Sequence, residues 1–249
     1  MARPTSSSDA IANASKSQAD LSSHGDAIGA AGVKETNFQD VQDLLDKNGE
    51  SGIISPPSDG FGKIHVGLAW NNIVVEQSSG FMGLIKKATK QGVDLDLGCF
   101  FELTDGTRGV LQPFGNLFGQ YDQMPYIQLS GDERTGDSDG DDEYLTINGK
   151  QWPKIKRILI YTYIYEGAKD WSQIKPEISV NLNGGLDDDD SLVIRPRLKT
   201  SDLTVCAIAS IKNVKNGMQL VTHGEYFHSH ASMDRAFGFG LKWEDGAKD

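Results

Sequence analysis

The residues best suited to chemistry in this chain are carboxylates. The segment Gly131–Glu143 reads GDERTGDSDGDDE, with seven acids and one arginine in the twelve residues Asp132–Glu143. Acids packed this closely repel one another, and desolvating them without a counter-ion is unfavourable. A hard divalent cation resolves the repulsion. Ca2+ takes six to eight oxygen ligands, and the interleaved Gly136 and Gly140 let the backbone turn its carbonyls inward as further donors. The spacing is not that of an EF-hand. Counted from Asp137, acids fall at the first, third and fifth positions, but the sixth is Asp142 instead of Gly and the twelfth is Asn148 instead of Glu. A solvated acidic loop is the competing reading.

A second acidic pair lies upstream. In Val93–Leu97 (VDLDL) a strand period of two places Asp94 and Asp96 on one side and Val93, Leu95 and Leu97 on the other. The pair is either an exposed strand face or two ligands to a bound cation. A third constellation is His223, His228, His230 and Asp234. Read as a strand, it puts His228 and His230 on one face, where they could ligate Zn2+; ordinary surface histidines are the alternative. Asp187–Asp190 sits in a Gly-rich turn and reads as a solvated loop or an extra cation site. Nucleophile-elbow, H-E-x-x-H and Walker A patterns are missing. Cys99 and Cys206 fall in apolar runs, which reads as reduced core thiols of a reducing compartment and not as nucleophiles.

These residues need a scaffold, and the scaffold reads as β. Strands are predicted at 64–70, 93–103, 110–118, 126–129, 144–147, 157–165, 177–182, 192–198, 204–212, 219–227 and 237–243, separated by Gly, Asp and Asn turns. Asn148-Gly149 is a turn signal. In Arg157–Tyr165 (RILIYTYIY) both faces are bulky, which fits a central strand. The fold class is therefore all-β: a two-sheet antiparallel β-sandwich with short helical insertions and a disordered N-terminal tail. One insertion is Ser79–Lys90, where Phe81, Leu84, Ile85 and Ala88 follow helical spacing beside Lys86, Lys87 and Lys90. It reads as a helix on the sandwich edge or a basic amphipathic helix against a membrane or partner. Residues 1–59 read as tail and linker, with a short helix over 37–47 and a linker over 48–60. The domain spans 60–246. Residues 1–33 hold fifteen Ser or Ala and no aromatic, too little apolar surface to offset chain entropy.

Taken in order, Gly67-Leu68-Ala69-Trp70-Asn71, Asp94-Leu95-Asp96 and Gly131–Glu143 resemble the TerD family of bacterial tellurium-resistance and stress proteins. Its pattern runs G-L-x-W-[DN], D-L-D, then G-D-N-R-T-G-x-G-D-G-D-D-E. Glu133 and Ser138 stand where the family has Asn and Gly, and Asn71 where many members have Asp. The closing Asp234–Trp243 looks like the TerA-type branch. The resemblance implies a non-enzymatic sandwich that holds one or two Ca2+ ions in loops at one end. Carried over residue by residue, it implies Asp94, Asp96, Asp132, Asp139, Asp141, Asp142 and Glu143 as ligands, with Asp137, Asn71 and Glu166 as weaker candidates.

The net charge of −11 is unevenly distributed. Residues 1–60 carry −5, Asp132–Glu143 carries −6 and Asp187–Asp190 carries −4, so the rest of the chain is near +4. The surplus acid argues against nucleic acid as a partner. No apolar run of 18 residues appears, and Met1–Ser8 lacks the apolar stretch of a secretory signal. The expectation is a cytoplasmic calcium-binding interaction module, placed also at the inner-membrane surface, with partners among the proteins of a stress or resistance complex. A calcium-dependent lipid-binding module and a His-cluster metalloenzyme are the rivals.

Overall fold

The structure is a computed structural model and describes residues 2–3, 41, 51–70, 73–79, 86–130, 143–168, 171, 174, 176–182, 191–194, 201–215 and 217–245. In chain order the strands are β1 (Ala2–Arg3), β2 (Ser51–Ile54), β3 (Lys63–Ala69), β4 (Ile73–Ser79), β5 (Lys86–Gly92), β6 (Asp94–Leu103), β7 (Arg108–Leu111), β8 (Gly119–Gln120), β9 (Ile127–Leu129), β10 (Glu143–Asn148), β11 (Ile155–Glu166), β12 (Glu177–Asn181), β13 (Ser191–Ile194), β14 (Val205–Val214), β15 (Gly217–Phe227) and β16 (Glu244–Asp245). A 3-10 helix covers Gly149–Lys154, and α1 covers His230–Phe237. Two six-stranded antiparallel sheets result, in the orders β2-β15-β14-β11-β6-β7 and β13-β12-β3-β10-β9-β8.

Alternation decides which side of each strand is buried. Ile64, Val66 and Leu68 of β3, Leu145 and Ile147 of β10, Leu95 and Leu97 of β6, and Ile158, Ile160 and Ile164 of β11 all belong to one core between the sheets. The predicted two-faced character of β11 holds, because β11 lies inside its sheet between β14 and β6. Its other face, Leu159, Tyr161 and Tyr163, belongs to a second cluster with Phe100, Met233, Phe239 and Leu241. So α1 and the segment after it cover the outer face of this sheet. Glu102 anchors that cover at one end. It takes hydrogen bonds from Arg108, Lys156 and Arg157, and the two arginines in turn donate to the carbonyls of Phe237, Gly238 and Phe239.

Four sequence expectations are corrected. Within the 48–60 linker, Ser51–Ile54 is a strand: Ile53 and Ile54 are buried and pair with β15 at Gln219 and Met218. The 37–47 helix is not among these: Val41 is helical and buried, and the rest lies outside the described residues. In Ser79–Lys90, Ser79 ends β4 and Lys86–Lys90 belong to β5, paired in register from Ser79↔Lys86 to Ile73↔Gly92. A short helix gains little alone, whereas pairing with β4 satisfies the backbone of Lys86–Gly92. Residues 80–85 lie outside the described residues. Finally, Asn148-Gly149 opens the 3-10 helix in place of a hairpin, and Phe237–Trp243 is no strand. Gly238 and Gly240 take φ of 66° and 70°, so the chain turns out of extended conformation; Phe239 and Leu241 are buried and Gly240 and Lys242 exposed, a strand-like alternation with no sheet partner.

Candidate metal centre

Asp94 and Asp96 open β6, where the register sets Asp94 opposite Glu166 and Asp96 opposite Tyr163 of β11. Leu95 and Leu97 are fully buried in the inter-sheet core, so the two aspartates share the opposite face, as their spacing predicts. Asp96 is fully buried, Asp94 is half-buried and Glu166 is exposed. The Thr162 hydroxyl donates to the Asp96 carbonyl at 3.0 Å. Burial pushes the Tyr163 phenol far above its ordinary range, and the negative charges of Asp96 and Glu143 push it further. The phenol therefore stays neutral beside these carboxylates.

Glu143 reaches the same end of the sandwich from the other sheet. It is the first residue of β10, lies opposite Leu68 of β3 and is buried. Strand β7 pairs with β6 only from Cys99 to Glu102, which leaves the start of β6 beyond its reach. There the Leu97 N–H donates to Glu143 Oε2 at 2.6 Å. The acidic segment 131–142 leaves β9 and returns through Glu143 into β10. Its base is closed by Ser130 N–H donating to the Tyr144 carbonyl at 2.8 Å and Tyr144 N–H donating to Ser130 Oγ at 3.0 Å. Beside that base lies a cleft of about 490 Å3, walled by Ser130, Tyr144, Gln128 and Lys63. Tyr144 is 40% exposed there and packs on His65 at 4.9 Å between ring centroids.

Four of the sequence-derived ligands, Asp94, Asp96, Glu143 and Glu166, therefore stand on neighbouring strand ends. Asp132, Asp137, Asp139, Asp141, Asp142 and Asn71 lie outside the described residues, as does Asp187–Asp190. Asn71 follows Trp70, whose indole N–H donates to the carbonyl of Val93, the residue before Asp94. Among the described residues no three His, Cys, Asp or Glu side chains group closely enough to hold a metal ion. Asp94, Asp96, Glu143 and Glu166 offer oxygen atoms alone, the donor type of hard cations. Sequence reasoning missed Thr162, Tyr163 and the Leu97 N–H, because neither a hydroxyl in an apolar strand nor a backbone group carries a motif.

The histidine constellation comes apart. His230 is the first residue of α1, capped by Ser229 through a reciprocal bond with Ser232, so the strand spacing assumed for His228 and His230 does not exist. His230 is fully buried, packed edge-on against Tyr163 and Tyr161 at 4.8 and 5.1 Å and stacked on Trp243 at 5.9 Å. His228 is exposed, and His223 bonds Ser210 Oγ at 2.8 Å. Asp234 accepts from the N–H groups of Gly240 and Leu241 and from the Trp243 indole at 2.7 to 2.8 Å, which shapes the turn after α1. Burial raises its carboxyl against the opposing pull of those hydrogen bonds.

No family model matches the chain. Among curated proteins, the tellurium resistance protein TerA of Alcaligenes sp. is 37% identical over 192 residues, 76% of this chain. The chain is a TerA homologue. The family resemblance read from the motifs is borne out at that level. The chain spans about half (53%) of the length of this TerA. Among solved structures, a homologue of the telluride resistance protein TerD from Streptomyces coelicolor A3(2) aligns over 74% of this chain and 100% of its own, at 16% identity and a TM-score of 0.45. A protein of unknown function aligns over 74% and 99%, at 14% identity and a TM-score of 0.42. Among the described residues of this TerA homologue, no helix is long and apolar enough to cross a membrane.

Proposed function

We propose that this TerA homologue is a non-enzymatic calcium-binding module of a bacterial tellurite-resistance or stress system. One observation carries the reading. Glu143, where the acidic segment rejoins the fold, is buried against the start of β6, the strand that carries buried Asp96. A run of acids thus ends against a second acidic pair, the arrangement that a divalent cation stabilises. Asp94, Asp96, Glu143 and Glu166 would hold one or two Ca2+ ions together with Asp132, Asp137, Asp139, Asp141, Asp142 and Asn71. The ion neutralises the segment and fixes its shape. The ordered segment and the cleft beside Tyr144 then present a surface to other proteins of the complex, in the cytoplasm or at the inner-membrane surface. Action on tellurite is indirect, since both cysteines are buried.

Calcium titration followed by thermal unfolding of the full chain tests this. Dissociation constants of about 10⁻⁷–10⁻⁵ M are expected for such a charge-rich site. Calcium at about 100 times that constant should add about 2.7 kcal/mol of stability. An unchanged transition, or an equal gain from Mg2+, overturns the proposal. Co-sedimentation with anionic vesicles, with and without chelator, separates a protein partner from a lipid surface.

A further inference from the structure

The opposite end of the sandwich, where β10 ends and β3 begins, holds a second feature. A hollow of about 400 Å3 opens between the loop before β3, the 3-10 helix and the β14–β15 turn. Its apolar lining is Phe61, Trp152, Pro56, Pro153 and Val214. Phe61 and Trp152 are 4% and 5% exposed and meet edge to face at 5.9 Å. The Trp152 indole N–H is buried without a hydrogen-bond partner.

The walls are tied together without any ligand. Asn213 Nδ2 donates to the carbonyls of Trp152 and Ile155 at 2.8 and 2.9 Å, which fixes the β14–β15 turn to the 3-10 helix. Gly149 N–H donates to the Gly62 carbonyl at 2.9 Å, which fixes the third loop. A Cβ at Gly149 would overlap that carbonyl, so the approach demands glycine. The rim carries exposed Lys150 and Lys215 against a single exposed acid, Asp59. The two lysines outnumber that acid, so the apolar mouth carries a small net positive charge.

We propose that this hollow binds a small apolar carboxylate. Its hydrocarbon body packs on Pro56, Pro153 and Val214 at the floor formed by Trp152 and Phe61, and its anionic end meets Lys150 and Lys215. A preformed hollow of this size, mostly apolar with a few orienting polar groups, is the usual form of a small-molecule site. Preformed walls reduce the ordering that binding must impose. The inference is independent of calcium, because none of these residues belongs to the acidic end.

The test is titration of the ¹⁵N-labelled full chain with octanoate, and with octanamide as the neutral control. Octanoate should give saturable shifts of the Trp152 indole N–H and of the Gly149 and Lys215 amides. Octanamide, and octanoate with a Lys150→Gln/Lys215→Gln variant, should bind roughly tenfold more weakly. Both lysines are exposed, so the variant should keep the wild-type Tm. The proposal is overturned if octanoate at millimolar concentration gives no saturable shift, or if the shifts map elsewhere. Equal binding of octanamide overturns the anionic preference. Preference for a peptide with an apolar C-terminus over octanoate replaces the small molecule with a protein partner.

Discussion

The carboxylate of Glu143 accepts the backbone N–H of Leu97 at 2.6 Å, so one side chain of β10 bonds a strand of the facing sheet. A charged acceptor on a buried N–H is stronger than a neutral one. Glu143→Ala should leave that N–H unsatisfied and cost about 1–3 kcal/mol in chelator, read by urea unfolding. Glu143→Gln keeps an acceptor and should cost less in chelator, yet lose most of the gain that calcium brings to the wild type. If Gln retains the full calcium increment, Glu143 is structural only.

Glu102 is the second charge centre. Its side chain is 3% exposed and meets Arg157 at 2.6 Å, Lys156 at 2.9 Å and Arg108 at 3.1 Å. Burial pushes its carboxyl up, but the hydrogen bonds from Lys156 and Arg157 and the charges of Arg157 and Arg108 outweigh this and hold it below the ordinary value of 4.5. A depressed carboxyl stabilises the fold fully above the unfolded value and less as pH falls through the folded value. Glu102→Gln should therefore cost about 3 kcal/mol at pH 7, because Arg108 and Arg157 are left half-buried without a counter-charge. The difference from wild type should shrink below pH 4.5. Urea unfolding at several pH values checks both.

How far the sequence foretold this depends on whether a side chain acts alone or through neighbours. Alternation located the strand of Asp94 and Asp96 and the face they share, because burial on a pleated sheet has a period of two. It also marked β11 as interior. The same alternation suggested a strand at Phe237–Trp243; Phe239 and Leu241 are indeed buried on either side of exposed Gly240, but positive φ at Gly238 and Gly240 keeps the segment from extending into a sheet. The Ser229 cap and its reciprocal Ser232 bond were not read from the sequence, where His228 and His230 suggested a strand instead. Ser51–Ile54 was hidden by linker-like neighbours, and only pairing with β15 makes it a strand. The network around Glu102 was illegible: its partners lie 6, 54 and 55 residues away and share no motif.

Gly98 faces Tyr161 across β6 and β11, and a Cβ there would overlap the Tyr161 ring. That ring cannot retreat easily, because its hydroxyl donates to Gln112 Oε1 at 3.0 Å and its body packs on Phe100 at 5.1 Å. Gly98→Ala should cost about 1–3 kcal/mol or more by overpacking. The Tm of the purified variant checks this; an unchanged Tm would show that the outer aromatic layer is loose.

Cys99 and Cys206 are both fully buried and free, and burial pushes both thiols far above their ordinary range. Thiolate, not thiol, is the reactive form. A disulfide reagent should therefore label neither in the native chain at pH 8 and both in urea. Fast native labelling would revive a thiol role in handling tellurite.

His230 offers the clearest pH dependence. Both ring nitrogens are buried without hydrogen-bond partners among Tyr161, Tyr163, Phe114 and Trp243. Burial lowers its pKa from 6.5 to about 3. The folded state thus holds a neutral imidazole while the unfolded chain protonates below pH 6.5. Stability is unaffected by this group above 6.5 and falls as pH drops from 6.5 towards 3, by at most about 1.4 kcal/mol per pH unit. His223, bonded to Ser210 and lowered by burial to about 4, acts in the same direction. His230→Phe keeps the ring among its aromatic neighbours and removes two unsatisfied nitrogens. It should match or exceed wild-type stability at pH 7 and lose stability less steeply between pH 6.5 and 4.5, a window above the acid loss assigned to Glu102. His223 remains in the variant, so the difference in slope isolates His230. Urea unfolding of both proteins across that window decides it; parallel slopes would mean that water reaches the His230 ring in the folded state.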